Sequence, residues 1–391
     1  MQKISGKGSL DDHIVSKNLT VNRMCVGKFY SIDHWKWFCL INIQRRCFMN
    51  CRVIKKLLFG FALVVVGCLG SSPAFAAKTF SFTYFDPALE TQAFGINNSG
   101  EVVGSYIDSI GYHGFTANTA GAITSTFDYP GSTFIQAESI NNKGQISGYY
   151  ELNGLGYGFI YDRSNSSNPW FSYRVPVATT GKTVIDYIND NGDFNGRYYN
   201  DVDDKYHGYL VPKGGTFSEF NILDPMGNIF WTEFDTYTNA GHKAGHFMDG
   251  SKTIGFVFLN DADKTEFRIE IPGYLETELE RMNNLLECVG YAHTTGTAPD
   301  GSLVNIVDAF YLDNPDGSAS FLFTPGLWPN TYGEGINDNG VIVGYVFDGQ
   351  KFRGYVATPS NAVPEPSTFL LTGAGIAALG FLARRRSRNS R

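Results

Sequence analysis

Cysteine is scarce where it could cross-link the protein. The 391-residue chain has six, and Cys25, Cys39, Cys47, Cys51 and Cys68 all fall within the first 77 residues. Only Cys288 lies beyond them, so no intramolecular disulfide can form in the body of the chain. Basic residues are scarce there too. Residues 77–363 hold 15 Lys plus Arg against 34 Asp plus Glu, a net charge of −19 that the whole-chain value of −7 hides. A surface of that sign repels phosphate backbones, which excludes nucleic acid as a partner. Gly-x-Ser-x-Gly, His-Glu-x-x-His, phosphate-loop and dinucleotide fingerprints are all missing, so no catalytic, cofactor-binding or metal-binding residue is assigned. Stability must come from burial, and a body of roughly 290 residues buries about three quarters of its unfolded surface.

What the chain has instead is repetition. Gly335-Ile336-Asn337-Asp338-Asn339-Gly340-Val341-Ile342-Val343-Gly344 is preceded by the weaker spellings Gly95 to Gly104, Ser139 to Gly148, Tyr187 to Gly196, Tyr237 to Gly245 and Arg281 to Gly290. The closing glycines 104, 148, 196, 245, 290 and 344 are 44 to 54 residues apart, a period that points to propellers, solenoids or arrays. Asn-Asn, Asn-Asp or Asp-Asn running into Gly between apolar residues predicts a tight two-residue hairpin turn.

A third strand is marked in each unit by Gly114-Phe115, Gly158-Phe159, Gly208-Tyr209, Gly255-Phe256, Ala309-Phe310 and Gly354-Tyr355. Fourth strands are expected at Ile123 to Tyr129, Phe171 to Val175, Phe217 to Ile222, Phe267 to Ile271 and Phe321 to Thr324. The sixth unit lacks one, while Phe80 to Phe85 stands alone ahead of the first. Pairing the orphan with the vacancy closes the ring and leaves no open sheet edge. The expectation is an all-β, six-bladed β-propeller over residues 78–358. Thr294 to Val304, an insertion in the fifth unit, reads as an extended surface loop.

The segment 1–48 shows no strand-turn pattern and reads as an upstream over-read ahead of a true start at Met49, with a cytoplasmic arm as the alternative. Residues 49–76 form a secretory signal: Arg52, Lys55 and Lys56, an apolar helix from Leu57 to Leu69, then Ala74-Phe75-Ala76 at a cleavage position. Val65-Val66-Gly67-Cys68 also resembles a lipobox, which would lipidate Cys68. At the other end, Val363-Pro364-Glu365-Pro366-Ser367-Thr368 precedes an apolar run over 369–383 and Arg384-Arg385-Arg386-Ser387-Arg388. Fifteen apolar residues are short for a free-standing span of about twenty, although flanking arginines can snorkel.

The motif, helix and basic end of residues 359–391 resemble the PEP-CTERM sorting signal of exported bacterial proteins. That resemblance implies recognition by an exosortase-type enzyme after passage through the secretion translocon. It also implies transient anchoring of the transmembrane helix in the inner membrane of a Gram-negative-type bacterium, cleavage near Pro364-Glu365-Pro366, and delivery to the cell surface or exopolysaccharide matrix. The repeats are similar to HAF-type extracellular repeats, with Gly-Ile-Asn, Asn-Gly, Val-Gly and Gly-Phe in register. The fourth and fifth copies depart from that pattern at Asn239-Ala240-Gly241 and at Asn283-Asn284-Leu285.

No constellation of residues declares a reaction. His242 and His246 are about 13 Å apart on a strand, too far to share a zinc. His113 and His207 occupy equivalent places before Gly-aromatic and read as packing, and His293 has no evident partner. Asp186 to Asp193 fails the spacing of a calcium loop and reads as turn chemistry, although the acidic body is compatible with loosely bound calcium. The leading expectation is a non-catalytic propeller that binds or scaffolds extracellular polysaccharide or an envelope protein, with Trp170, Trp231 and Trp328 as candidate sugar-stacking residues. The alternative is a glycoside hydrolase or lyase whose carboxylates gather in the central channel.

Overall fold

The computed structural model describes residues 78–360, apart from 87–88, 179–180, 251, 261, 263–264, 298–300, 317–319 and 324–329, with the backbone alone for 320–323. All belong to the second of two compact units, Ala76–Arg391. The segment 1–48, the signal at 49–76 with Ala74 and Ala76, the sorting motif Val363 to Pro366 and the helix at 369–383 lie outside the described residues.

Among the described residues there are 24 strands and no helix. Repeat one comprises β2 (Glu90–Ile96), β3 (Val102–Ile107), β4 (Tyr112–Ala117) and β5 (Ile123–Phe127). Repeat two follows with β6 (Phe134–Ile140), β7 (Gln145–Leu152), β8 (Leu155–Asp162) and β9 (Trp170–Tyr173). Repeat three has β10 (Thr183–Ile188), β11 (Phe194–Asn200), β12 (Lys205–Val211) and β13 (Ser218–Phe220). Repeat four has β14 (Trp231–Tyr237), β15 (Lys243–Asp249), β16 (Lys252–Phe258) and β17 (Glu266–Ile269). Repeat five has β18 (Glu276–Met282), β19 (Cys288–Thr297), β20 (Leu303–Leu312) and β21 (Ser320–Phe323). Repeat six supplies β22 (Asn330–Ile336), β23 (Ile342–Phe347) and β24 (Phe352–Ser360), and β1 (Thr79–Tyr84) completes it.

The arrangement is propeller-like, but six separate blades do not form. Repeats one to four are discrete four-stranded antiparallel sheets, whereas the strands of repeats five and six make one eight-stranded sheet. The join is a parallel bridge between Val307 of β20 and Asn330 of β22, reinforced by the Val307 amide donating to Asn330 Oδ1 at 3.2 Å. Thr294 to Val304 is no surface loop, because β-branched residues carry β19 and β20 onward as a hairpin to the pair Thr297–Leu303. At the chain ends β1 pairs antiparallel with β24, Phe82 opposite Ala357 and Tyr84 opposite Tyr355, so β24 has no open edge.

Six apolar clusters lie between successive repeats, each drawing residues from both neighbours. Phe85, Ala93 and Phe115 meet Val343 and Val356 where repeat one adjoins repeat six, and Ala244 and Val257 meet Leu279 and Phe310 between repeats four and five. The aromatic that marks each third strand, Phe115, Phe159, Tyr209, Phe256, Phe310 or Tyr355, is fully buried. Full burial of such a ring contributes about 1.5–3 kcal/mol. Cys288 is buried and reduced.

The turns are longer than the expected two residues. In repeat one the Asn97 amide donates to the Glu101 carbonyl and the Gly100 amide to Asn97, a three-residue loop with only Gly100 in the left-handed region at φ 80°. The side chains of these turns make two rings. In the inner one each Asn carboxamide donates to the turn carbonyl of the next repeat: Asn97 to Asn141, Asn141 to Asn189, Asn189 to Thr238, Asn283 to Asn337, and Asn337 back to Asn97, at 2.9–3.5 Å. The same side chain's Oδ1 accepts amides of its own turn, as Asn141 does from Lys143 and Gln145. Thr238 breaks the ring, since its hydroxyl accepts the His242 amide and cannot span to Asn283.

In the outer ring backbone amides donate to side-chain oxygens of the next repeat: 98 to 142, 142 to 190, 190 to 239, 239 to 284, 284 to 338 and 338 to 98, at 2.8–3.1 Å. Asp190 and Asp338 occupy every third place, each accepting carboxamide protons from the Asn on either side.

Replacing Asn141 by Ala removes four hydrogen bonds, one buried and three part-buried, and is expected to cost about 3 kcal/mol, while Thr238→Asn, which supplies the missing donor, is expected to add about 1 kcal/mol. Urea unfolding of both variants checks the pair. Equal midpoints for wild type and Asn141→Ala would refute the role assigned to the ring.

Candidate functional site

Each first strand carries one register irregularity, and always at the same place: between Ala93 and Gly95, Ala137 and Ser139, Ile185 and Tyr187, Phe234 and Thr236, Leu279 and Arg281, and Gly333 and Gly335. The skipped residues are Phe94, Glu138, Asp186, Asp235, Glu280 and Glu334. A bulge turns its extra residue out of the alternating pattern. All six line one central cavity of about 140 Å³. The closing glycine of each repeat lies opposite. A Cβ on Gly104, Gly148, Gly196, Gly245, Gly290 or Gly344 would sit 2.0–2.2 Å from a first-strand carbonyl oxygen, so only glycine fits there.

Seven carboxyl groups line the cavity: Glu138, Asp186, Asp235, Glu280 and Glu334 from the bulges, and Glu233 and Glu278 from two residues before. Facing them are two guanidinium groups and one imidazole, so acids exceed bases by four. Arg197 pairs with Asp186 Oδ1, with Glu233 at 3.1 Å and with Asp235 at 3.6 Å. Arg281 spans the axis, donating to the backbone carbonyls of Asp235 in repeat four, Asp186 in repeat three and Glu138 in repeat two. Its guanidinium also lies 5.6 Å from the Tyr187 ring centroid. His246 stands between four carboxylates: Nδ1 is 3.3 Å from Asp235 and 3.9 Å from Glu280, and Nε2 is 3.8 Å from Glu233 and 3.9 Å from Glu278.

Burial raises the pKa of Glu138, Asp186 and Glu334, with the neighbouring acids adding to it and arginines opposing it. Burial and the Asp235 charge push Glu280 up to about 8. Glu278 goes the other way. Burial would raise it, but the His293 and Tyr291 contacts and the His246 charge hold it at about 2. Burial lowers His246, yet Asp235, Glu233 and Glu280 outweigh it and leave the imidazolium well above its ordinary value. In a cavity so short of bases, neutrality comes from protons or from a cation.

Two His-carboxylate groups have the reach of metal ligands, His246 with Glu278 and Glu280, and Glu276 with Glu278 and His293. His293, without an evident partner in the sequence, stands 3.1 Å from Glu278. His242 is apart from His246, accepting the Asn260 amide at a turn. His113 and His207 are held by carboxylates rather than by apolar packing alone, His113 between Asp108 and Asp128 and His207 against Asp203 at 2.9 Å. Asp186 to Asp193 forms no ion loop: Asp186 faces the axis and Asp190 belongs to the turn ring.

A second concavity of about 390 Å³ lies between repeats two and three, bounded by Lys143, Asn165, Asn168, Trp170, Phe171 and Lys213. Trp170 is stacked on Tyr161 with centroids 4.2 Å apart, and Phe171 is 48% exposed. Trp231 packs at 5.2 Å from Tyr206 with Nε1 donating to Glu233. Trp328 lies outside the described residues.

The described body is thus an all-β, propeller-like ring of repeats with a polar axis. Residues 362–386 match the PEP-CTERM protein-sorting motif, which marks the chain as an exported, cell-envelope-associated bacterial protein sorted by an exosortase. Comparison with characterised protein sequences gives no match. Similar solved structures include an arginine-to-alanine triple variant of AofleA from Arthrobotrys oligospora, at 13% identity over 75% of this chain and 96% of that one with a TM-score of 0.37. A neuraminidase-like protein of A/little yellow-shouldered bat/Guatemala aligns at 14% identity over 72% and 98%, TM-score 0.39. MPT-1, a GDP-Man-dependent mannosyltransferase from Leishmania mexicana, aligns at 11% identity over 73% and 91%, TM-score 0.31.

The axial acids give stability a defined pH dependence. A carboxyl raised on folding stabilises fully below its unfolded value of 4.5, and Glu280 loses that contribution as pH rises to about 8. Glu278, depressed on folding, stabilises above 4.5 and loses it as pH falls towards 2. In chelator-treated protein the melting temperature is therefore expected to peak in mildly acidic buffer and fall towards pH 8. Glu280→Gln should flatten the alkaline fall, and a wild-type profile that rises from pH 5 to 8 would contradict the assignment.

Proposed function

We propose that the exported body is a non-catalytic binding propeller that holds extracellular polysaccharide, and that the contact is made in the groove between repeats two and three. The observation that carries this reading is the groove's composition. At about 390 Å³ it falls within the range of about 300–1,000 Å³ typical of ligand pockets. The exposed Phe171 ring offers a flat apolar face, Asn165 and Asn168 offer amides for hydroxyl groups, and Lys143 and Lys213 outnumber the Asp162 carboxylate by one positive charge on an otherwise acidic body. That excess favours an acidic glycan over a neutral one. The likeness of the repeats to HAF-type repeats and the signal-like residues 49–76 fit the same extracellular role, with Trp170 as the groove's floor.

A second reading draws on the axis, where acids from five repeats converge as a glycan-cleaving enzyme would need. Its cavity of about 140 Å³ is below the usual range for a substrate pocket, which favours the binding role.

Calorimetric titration of the cell-surface protein with oligosaccharides from the producing organism's own matrix tests the proposal. Phe171→Ala should weaken binding at least tenfold without lowering the melting temperature. No heat from any fragment, or equal affinity in the variant, would refute it. Release of new reducing ends by wild type, lost in Glu280→Gln, would establish the enzymatic reading in its place.

A further inference from the structure

We propose that a divalent transition metal of the zinc or manganese class binds on the axis between repeats four and five, held by His246, Glu278 and Glu280 with Asp235 beside them. The inference stands apart from the saccharide groove and uses none of its residues.

Distance is the first argument. One donor atom from each of His246, Glu278 and Glu280 lies within 4.8 Å of the other two. A metal with bonds of about 2.0–2.2 Å sets its ligands about 3–4.4 Å apart, so the three side chains can converge on one ion with small rotations. Around the imidazole, Nδ1 stands 3.3 Å from Asp235 and 3.9 Å from Glu280, inside that interval, while the 3.8 Å to Glu233 and 3.9 Å to Glu278 are measured from Nε2 on the other side of the ring, so an ion on Nδ1 would draw Glu278 across to it.

The second argument is what these groups leave unsatisfied. His246 is 7% exposed and Asp235 1%, and Nδ1 of the first lies 3.3 Å from Oδ2 of the second as an ion pair without hydrogen-bond geometry, neither atom having any other hydrogen-bond partner. Asp186 Oδ2, in the same cavity at 2% exposure, is equally without one. Buried polar atoms are ordinarily paired, and several orphans aimed into one small cavity point to a missing ligand. The excess of four acids gives that ligand its sign.

The third argument is donor chemistry. Calcium takes six to eight oxygens, whereas an imidazole beside two carboxylates suits zinc or manganese. Glu278 is already oriented by outer contacts, its Oε2 accepting from the Tyr291 hydroxyl at 2.8 Å and its Oε1 facing His293 at 3.1 Å. The ion would tie β15 of repeat four to β18 of repeat five, where Thr238 leaves the turn ring without its cross-repeat donor.

The test is to strip the protein purified from the cell surface with chelator, titrate it with Zn²⁺ and with Mn²⁺, and measure bound metal by elemental analysis after gel filtration. One tight equivalent per chain and a raised melting temperature are expected, with at least a tenfold loss of affinity in His246→Asn and in Glu280→Gln. Glu280→Gln keeps the shape of a protonated acid and so should fold. X-ray absorption of the loaded wild type, expected to show one imidazole and oxygen neighbours at about 2.0–2.2 Å, gives a readout that needs no variant. No stoichiometric metal, binding unchanged in both variants, or a shell without nitrogen would each overturn the proposal, and none would touch the groove.

Discussion

One side-chain amide in each of five repeats holds this ring together. In Asn97, Asn141, Asn283 and Asn337 the oxygen closes the residue's own turn while the nitrogen reaches the carbonyl of the following turn. A single planar group thus sets both the local turn and the spacing between neighbours, and asparagine alone puts a separate acceptor atom and donor atom on so short an arm. In an open array the end repeats need polar caps. Here the last turn donates to the first and β1 fills the outer place beside β24, so neither terminal repeat is left with an open interface.

The bulges connect that ring to the axis. Without them the side chains of Glu138 and Asp186 would share a face with Ile140 and Ile188, which pack in the apolar clusters between repeats. The extra residue sends the acid inward and leaves the apolar residue in place. Each bulge brings a carbonyl against the closing glycine, and the ring of the third strand lies over most of those glycines, Phe115 over Gly104 and Phe159 over Gly148. Glycine, aromatic and axial acid are therefore three consequences of one local geometry.

That geometry also explains what the sequence could and could not disclose. The positions of the turns, though not their length, the third-strand aromatics, the five fourth strands and the pairing of Phe80 to Phe85 with the last repeat were legible because each rests on a local residue preference. The merging of repeats five and six was not, since it rests on one long-range bridge, Val307 to Asn330, that no local preference encodes. The axial acids were missed although they form a column, three residues before each turn Asn or Thr, acidic in five of six copies. Strict alternation assigns that column to the face of the buried isoleucines, where a carboxylate makes no sense. The contradiction itself was the available signal of a bulge.

The two copies that depart furthest from the repeat are also the ones that carry the axial chemistry. Repeat four has Thr238 for the ring asparagine, and it supplies Glu233, Asp235 and His246. Repeat five has Leu286 at φ 67° where other turns have glycine, and it supplies Glu278, Glu280 and Arg281. A bulky residue in the left-handed region costs about 1–2 kcal/mol, and the lost amide link costs about another. Repeat one, whose turn is intact, presents Phe94 to the axis and no charge at all. Were the axial acids a by-product of the fold, their density would have no reason to follow turn quality. Instead charge concentrates beside the seam that lacks the inner-ring amide, between repeats four and five, where four of the seven carboxyls and His246 are buried together. A divalent ion bridging that seam would offset both costs at once, because it takes ligands from both repeats and neutralises two charges, whereas a proton shared between two carboxyls neutralises one.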